Sequence, residues 1–360
     1  MNIAILPQGN ERNLTGVNKV TVGTMRELLK IDKKNHYFFL GDGRGLPLSI
    51  DTIKIPYSDM MSFPLSYTAY TNELDIVHSY YPAFHVSQKL KCGKILMIHD
   101  LIPCVFPEYV GGKNAQYNYF SNVIRKNAEE ADVIVANSEH TKSDIIKYYG
   151  VSEEKVKVVY CGLYSDSILK KNEKKIAGIN EKGYILSVSA LAMNKNQEGL
   201  IKAFFRFKKI CKWSDLKLVL TGPTRQSAYI KTILEENLEY IEDVIFTGYV
   251  SEEELAWLYN NALAFIYVSF YEGFGLPILE ALSMGKAVIC SNTSSMPEVG
   301  GDAVEYCNPH DIESITYAME KVILNEEYRL NLERKSREQA ARFSFANAAR
   351  QTLEIYKNFM

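Results

Sequence analysis

Two glutamates, Glu272 and Glu280, flank a glycine-rich turn in the stretch SFYEGFGLPILEALSMGKAVICSN, residues 269–292. The apolar run Ala264–Val268 reads as a strand and Ser269–Gly275 as a loop. Pro277 suits the first turn of a helix, because it has no N–H to lose there. The open amides of that turn, with the helix dipole, attract an anion. Gly273 and Gly275 let the backbone approach a ligand closely. Glu280 is expected in the first turn, leaning back toward the helix start, with Glu272 facing the same spot from the loop. Two hydrogen-bond acceptors beside an anion cradle suit a ligand with phosphates and vicinal hydroxyls, such as a nucleotide sugar. Taken alone, Glu280 serves equally well as a carboxylate complementing the dipole, and the glycines as an ordinary strand–helix turn.

The elements that must position these groups follow from the alternation of apolar runs and amphipathic stretches. Strands are predicted at Ile3–Leu6, Tyr37–Leu40, Ile76–Ser79, Ile95–His99, Val133–Asn137 and Val156–Val159. Helix-like segments lie at Val20–Lys30, Tyr117–Ala131 and Thr141–Tyr149. The polar, lysine-rich stretch 164–183 breaks the pattern and reads as a solvated linker. Strands then recur at Tyr184–Ser189, Leu216–Thr221, Val244–Thr247, Ala264–Val268 and Ala287–Ser291, with helices Gln197–Lys209, Ser227–Glu236, Ser251–Asn260 and Pro277–Met284 between them. This predicts an α/β protein of two doubly wound Rossmann-like domains facing across a cleft. The expected boundaries are 1–165, a linker at 166–183, and 184–344. The tail at 345–360 is a last amphipathic helix, with Phe345, Ala348, Ala349, Leu353 and Tyr356 at helical spacing.

Bulk properties narrow the classes. The 360 residues fit two domains, and 47% hydrophobic with 23% charged residues is a globular composition. A net charge of −2 gives no field to recruit nucleic acid. The six cysteines are scattered without C-x-x-C or metal spacing and read as reduced thiols of a cytoplasmic protein. MNIAILPQGN reads as a first strand, not a signal peptide. No apolar run approaches the ~18 residues of a membrane span. GDGRGLP (41–47) follows a strand but precedes no helix, so it is a glycine turn. No D-x-D is available to clamp a metal, and no G-x-G-x-x-G opens a helix as a dinucleotide oxidoreductase requires.

The E-x7-E spacing of YEGFGLPILE, followed by SSMPEVGGDA, resembles the retaining glycosyltransferases of family 4, which have the GT-B fold. TGVNKVT (15–21), IHDLIP (98–103), ADVIVANSEHTKSDI (131–145) and KVKVVYCG (155–162) are similar to that family's N-terminal domain. NKNQEGLIKAF (194–204), TGP (221–223) and FTGYVSEEEL (246–255) are similar to its C-terminal domain. The resemblance implies roles. Glu280 would accept hydrogen bonds from the ribose hydroxyls. Glu272, with the amides of Gly273, Phe274 and Gly275, would hold the donor sugar, and the amides near Leu276 the diphosphate. Lys195 would neutralise the departing diphosphate. Backbone at Tyr249 and Val250 would read the base. His99 would lie over the donor sugar, with Asp100 a further site candidate beside it. Gly16 would approach the phosphate or acceptor from the N-terminal domain, onto which the C-terminal helix would cross back.

By residue type alone, Lys195 is one solvated lysine among 41 lysines and arginines, His99 a satisfied core histidine and Asp100 a turn cap. The chain departs from the family where an arginine often stands six residues before the lysine, here Ser189, and where Pro-Arg often precedes it, here Met193-Asn194. Ser189 is retained as a donor-site position. The implied activity is retaining transfer of a hexose, with a lean toward mannose, from a nucleotide-diphosphate sugar to a glycan or lipid-linked glycan of bacterial surface polysaccharide. No cofactor and no metal are expected. The protein is expected in the cytoplasm, with room for peripheral contact with the inner membrane face through YFSNVIRKNA, whose other reading is a packed helix with a solvated face. The alternatives are a GT-B sugar-nucleotide epimerase and a non-catalytic nucleotide- or glycan-binding subunit.

Overall fold

The computed structural model describes residues 1–7, 16–41, 48, 50–54, 73–81, 91–110, 112, 114–163, 174–181, 183–190, 192–211, 213, 215–222 and 228–359. Most of the 41–47 glycine turn therefore lies outside the described residues. The chain divides into two units, Met1–Leu163 with Ser344–Met360, and Tyr164–Phe343.

The first unit is built on seven strands in the order β3-β2-β1-β4-β5-β6-β7. They are β1 (Asn2–Leu6), β2 (His36–Gly41), β3 (Asp51–Lys54), β4 (Ile76–Ser79), β5 (Gly93–Ile98), β6 (Val133–Ala136) and β7 (Val156–Val158). Every pairing is parallel. Parallel strands are covered on both faces, which explains their continuous apolar runs. The short charged segment DTIK (β3) has no such run and was not expected as a strand.

The expected helix Tyr117–Ala131 is instead helix Ala115–Asn118, a π-helical turn Tyr119–Ile124 and helix Arg125–Glu130. Ile124 and Ala128 are buried in the apolar core there. Arg125 and Lys126 are exposed and reach Glu129 and Glu130 one turn on, at 3.0 and 4.0 Å. No helix among the described residues is long and apolar enough to cross a membrane.

Helix Phe345–Lys357 completes this unit. Ser344 caps it by accepting from the Asn347 N–H at 3.2 Å. It buries Phe345, Ala348, Ala349, Thr352, Ile355 and Tyr356 and packs on helix Gly16–Ile31. The fold closes tightly at its start. A Cβ on Gly162 would stand 2.0 Å from the Phe345 backbone nitrogen, so only glycine lets the two backbones pass. A parallel bridge joins the adjacent Leu163 to Ser344.

The second unit carries six parallel strands in the order β10-β9-β8-β11-β12-β13. These are β8 (Tyr184–Val188), β9 (Lys217–Thr221), β10 (Val244–Gly248), β11 (Ala264–Tyr267), β12 (Val288–Ser291) and β13 (Val304–Cys307). The last, VEYC, and helices Ile312–Ile323 and Glu326–Ala341 extend the pattern beyond the predicted elements. Ile179, within the lysine-rich stretch, is buried, and Lys174 pairs with Glu254 at 2.9 Å. The described part of that stretch thus rests on the second unit.

Candidate active site

The strand order of the second sheet reverses between β8 and β11. Loops leaving the carboxyl ends of two such neighbours run to opposite sides and open a crevice, the usual ligand position in an open α/β sheet. The loop after β8 brings Ser189 and Lys195 to that edge, and the loop after β11 brings Glu272 to Gly275.

Lys195 ends a short 3₁₀ turn, Met193–Lys195. Two asparagines fix the turn. Asn194 accepts from the Phe270 N–H through its carbonyl (2.8 Å) and donates through Nδ2 to the Tyr271 carbonyl (3.2 Å). Asn196, at φ 53°, accepts from the Gly199 N–H at 3.2 Å and donates to the Pro309 carbonyl at 2.7 Å. Asn194, a departure from the family pattern, therefore ties the lysine loop to the glutamate loop.

Lys195 Nζ lies 2.6 Å from Glu272 Oε1 and 3.0 Å from the Tyr267 hydroxyl, which donates to the same Oε1 at 3.0 Å. Three polar groups form a closed triangle in a mostly buried place. Burial disfavours the ammonium, but the Glu272 carboxylate and the Tyr267 oxygen outweigh it and hold Lys195 above the ordinary lysine range. Burial, then Glu272, pushes the Tyr267 phenol up. The lysine is a fixed cation, not a surface one. The glutamate loop is clamped from behind. The Glu272 N–H donates to Ser294 Oγ (3.0 Å), Ser295 Oγ donates to the Glu272 carbonyl (2.9 Å), and Thr293 Oγ1 donates to the Phe270 carbonyl (3.1 Å).

Gly275 sits at φ 98°, a conformation that strains any residue with a Cβ, and it opens helix Leu276–Ser283. Glu280 is the fifth residue of that helix, which corrects its expected placement in the first turn, where no acidic residue stands. It is buried, and the buried Tyr259 hydroxyl donates to its Oε2 at 2.9 Å. Burial, then the Glu280 charge, raises the Tyr259 phenol well above its ordinary range.

Glu280→Gln keeps an acceptor for Tyr259 but loses the charge. If Glu280 holds the ribose, affinity for a nucleoside diphosphate should fall by about ten- to a hundred-fold, the worth of a hydrogen bond to a charged group. Titration calorimetry reads this, and an unchanged Kd removes Glu280 from the site.

Ser189 donates its N–H to the Thr221 carbonyl at 2.9 Å, and its hydroxyl accepts from Gln197 Nε2. Tyr249 follows β10 with 82% of its surface exposed, beside the half-buried Val250. Phe274 is buried edge-on to Phe343 at 5.7 Å between ring centres. Tyr267, Tyr259 and the Thr293–Ser295 clamp were not among the expected site residues. The only signal for the serines was their place in SNTSSMPE, and none marked the tyrosines.

The remaining candidates, Gly16, His99 and Asp100, lie in the first unit. Gly16 is exposed and opens helix Gly16–Ile31. Asp100 Oδ1 accepts from the Ile102 N–H at 3.1 Å, a local cap. His99 follows β5, and its Nε2 lies 3.0 Å from the Tyr80 carbonyl. A carbonyl only accepts, so Nε2 carries the hydrogen and Nδ1 is the acceptor nitrogen. Burial lowers His99 to about 4. His78 on β4 is lowered further, to about 3, by burial and then by His99.

Both imidazoles are neutral when folded at pH 7 but protonate near 6.5 when unfolded. Their stabilisation is therefore complete above about pH 6.5 and is lost as pH falls toward 4, at up to about 1.4 kcal/mol per pH unit for each. Calorimetry at pH 7.5, 6 and 5 should show the melting temperature falling. His78→Phe should have the shallower slope, and equal slopes would refute the effect.

Two family models match successive stretches: Glycosyltransferase Family 4 over residues 42–166 and Glycosyl transferases group 1 over residues 170–339. The chain belongs to this family of GT-B glycosyltransferases. It is 28% identical over 336 residues to O-antigen chain mannosyltransferase B of Escherichia coli, covering 91% of this chain and 85% of that one. It is 30% identical over 287 residues to the serotype-specific mannosyltransferase WbdA of E. coli, covering 78% of this chain but only 34% of WbdA, so it spans about a third of that relative. Among solved structures it is similar to sucrose-phosphate synthase from Thermosynechococcus elongatus (TM-score 0.76, 18% identity, 99% and 98% of the two chains). It is also similar to Anabaena HepE, solved with UDP and glucose (TM-score 0.72, 18% identity, 99% and 100%).

Proposed function

We propose that this glycosyltransferase moves a hexose, with mannose the first choice, from a nucleotide-diphosphate donor to a glycan or lipid-linked glycan in bacterial surface polysaccharide synthesis, with retention at the anomeric carbon. The observation that carries the donor assignment is the Lys195–Tyr267–Glu272 triangle at the switch point, with Glu280 on the helix that the same loop opens. The names of the mannosyltransferase relatives support the sugar and the pathway class.

In this reading Lys195 and the amides near Leu276 hold the diphosphate, Glu280 the ribose, backbone at Tyr249 and Val250 the base, and Glu272 with Gly273, Phe274 and Gly275 the sugar. His99 is assigned to contact with the donor sugar through its neutral ring, and Gly16 to the phosphate or acceptor. The bond from the anomeric carbon to the diphosphate oxygen breaks as the bond to the acceptor oxygen forms. The acceptor proton passes to the departing phosphate, so no side chain acts as nucleophile. Lys195 lowers the barrier by being fixed in advance where negative charge develops. Cytoplasmic location, with peripheral contact at a membrane bearing a lipid-linked acceptor, completes the proposal.

The test is thermal stability with UDP, GDP, ADP, CMP and dTDP, each with and without EDTA. A ligand at a hundred times its Kd stabilises by about 2.7 kcal/mol. Stabilisation by one nucleotide regardless of EDTA is the expected result, followed by NMR of the product anomer with the matching sugar donor. Stabilisation by none would sink the donor assignment.

A further inference from the structure

Helix Phe345–Lys357 does more than cover the first sheet. Its Tyr356 is fully buried, and the hydroxyl lies 2.8 Å from His78 Nδ1. The His78 ring stacks on that of Tyr80, with ring centres 4.3 Å apart and planes 26° apart. Tyr80 is the first residue after β4, and its carbonyl holds His99 Nε2. Tyr356, His78, Tyr80 and His99 thus form one continuous series of direct contacts, ending on the ring assigned to the donor sugar.

Packing alone does not account for His78. Its exposure is 1%, and Nε2 has no hydrogen-bond partner among the described residues. A buried imidazole with one nitrogen unsatisfied is less stable than an apolar side chain of similar shape. The ring touches both the closing helix, at Tyr356, and Tyr80, the residue that holds His99.

We infer that Tyr356 and His78 are positioning residues for His99. Tyr356 fixes the rotation of the His78 ring, His78 fixes the plane of Tyr80, and the Tyr80 carbonyl fixes the tautomer and direction of His99. The helix thereby sets the reactive geometry of the first unit. The inference rests on the reading of His99 as a group that touches the donor sugar.

The test is a cycle of Tyr356→Phe, His99→Ala and the double variant, reading kcat, donor affinity and melting temperature. Tyr356→Phe should lower kcat by about ten- to a hundred-fold, the scale of a displaced reacting group. Nucleoside diphosphate affinity, which the second unit supplies, should stay unchanged. In the His99→Ala background, Tyr356→Phe should lower kcat no further, while the losses of melting temperature still add. His78→Phe keeps the ring stack and removes the hydrogen bond, so it should reproduce the kcat effect if Tyr356→Phe does not fold. Nitrogen NMR of the His99 ring should shift in either variant. Equal losses of kcat with and without His99 would overturn the positioning role and leave His99 as assigned. Full turnover in His99→Ala would overturn both.

Discussion

Replacing Lys195 by alanine is expected to lower kcat by about a hundred- to a thousand-fold, or roughly 2.7–4 kcal/mol of transition-state stabilisation, as for removal of one preorganised donor. The geometry sets a complication. Lys195 Nζ is 2.6 Å from Glu272, and the two side chains are only 19% and 11% exposed. Removing the lysine leaves a largely buried carboxylate with Tyr267 as its hydrogen-bond donor among the described side chains, and breaking such a pair is destabilising by about 3–5 kcal/mol. A loss of activity in Lys195→Ala alone is therefore ambiguous between chemistry and folding. The double variant Lys195→Ala with Glu272→Gln removes both charges but keeps a polar side chain at the sugar position, and it should recover most of the lost melting temperature without recovering turnover. If the double variant regains turnover with stability, or if Lys195→Ala keeps full kcat, Lys195 is a structural cation and not the diphosphate's partner.

Deleting residues from Ala346 onward should abolish transfer while leaving nucleotide binding in place. The helix buries Ile355 and Tyr356 and supplies the only described partner of His78 Nδ1. Truncating one such large core side chain costs about 2–5 kcal/mol. Losing several together exceeds the roughly 5–15 kcal/mol that stabilises a domain. Lys195, Glu272 and Glu280 all belong to the other unit, whose core is its own. Calorimetry should show one melting transition lost and one kept, with the surviving transition still raised by the nucleotide. Normal transfer by the truncated chain would refute the coupling.

Much of this was legible in the sequence because parallel strands are buried on both faces and announce themselves as apolar runs. Glu272, Gly275 and Pro277 were placed by the same logic, since a glycine-rich turn entering a proline-started helix has few other uses. What stayed hidden was of two kinds. β3 is four residues, two of them charged, and VEYC of β13 is short and half polar, so neither carries a period that stands out. The tyrosines were hidden for the opposite reason. Tyr259 and Tyr267 occupy apolar positions of a helix and a strand and read as core aromatics, while their hydroxyls at the end of the ring meet Glu280 and Lys195. Glu280 was read into the first turn because the helix was expected to start at Pro277; it starts one residue earlier, at Leu276, and helix ends are poorly marked by pattern alone.

The chain leaves the first unit at Leu163 and returns to it only at Ser344. During synthesis, the intervening 180 residues, 164 through 343, must be made first. At roughly 5–20 residues per second this takes about 10–40 s. For that interval the nascent first sheet lacks the helix that covers His78 and passes Gly162. The later-made domain can finish folding before the earlier-made one. The vulnerable species on the ribosome is thus an N-terminal domain with an uncovered apolar face, the state on which holdase chaperones and misassembly would act. A circular permutant that places 344–360 ahead of residue 1 should shorten that exposure and raise the soluble yield of the chain.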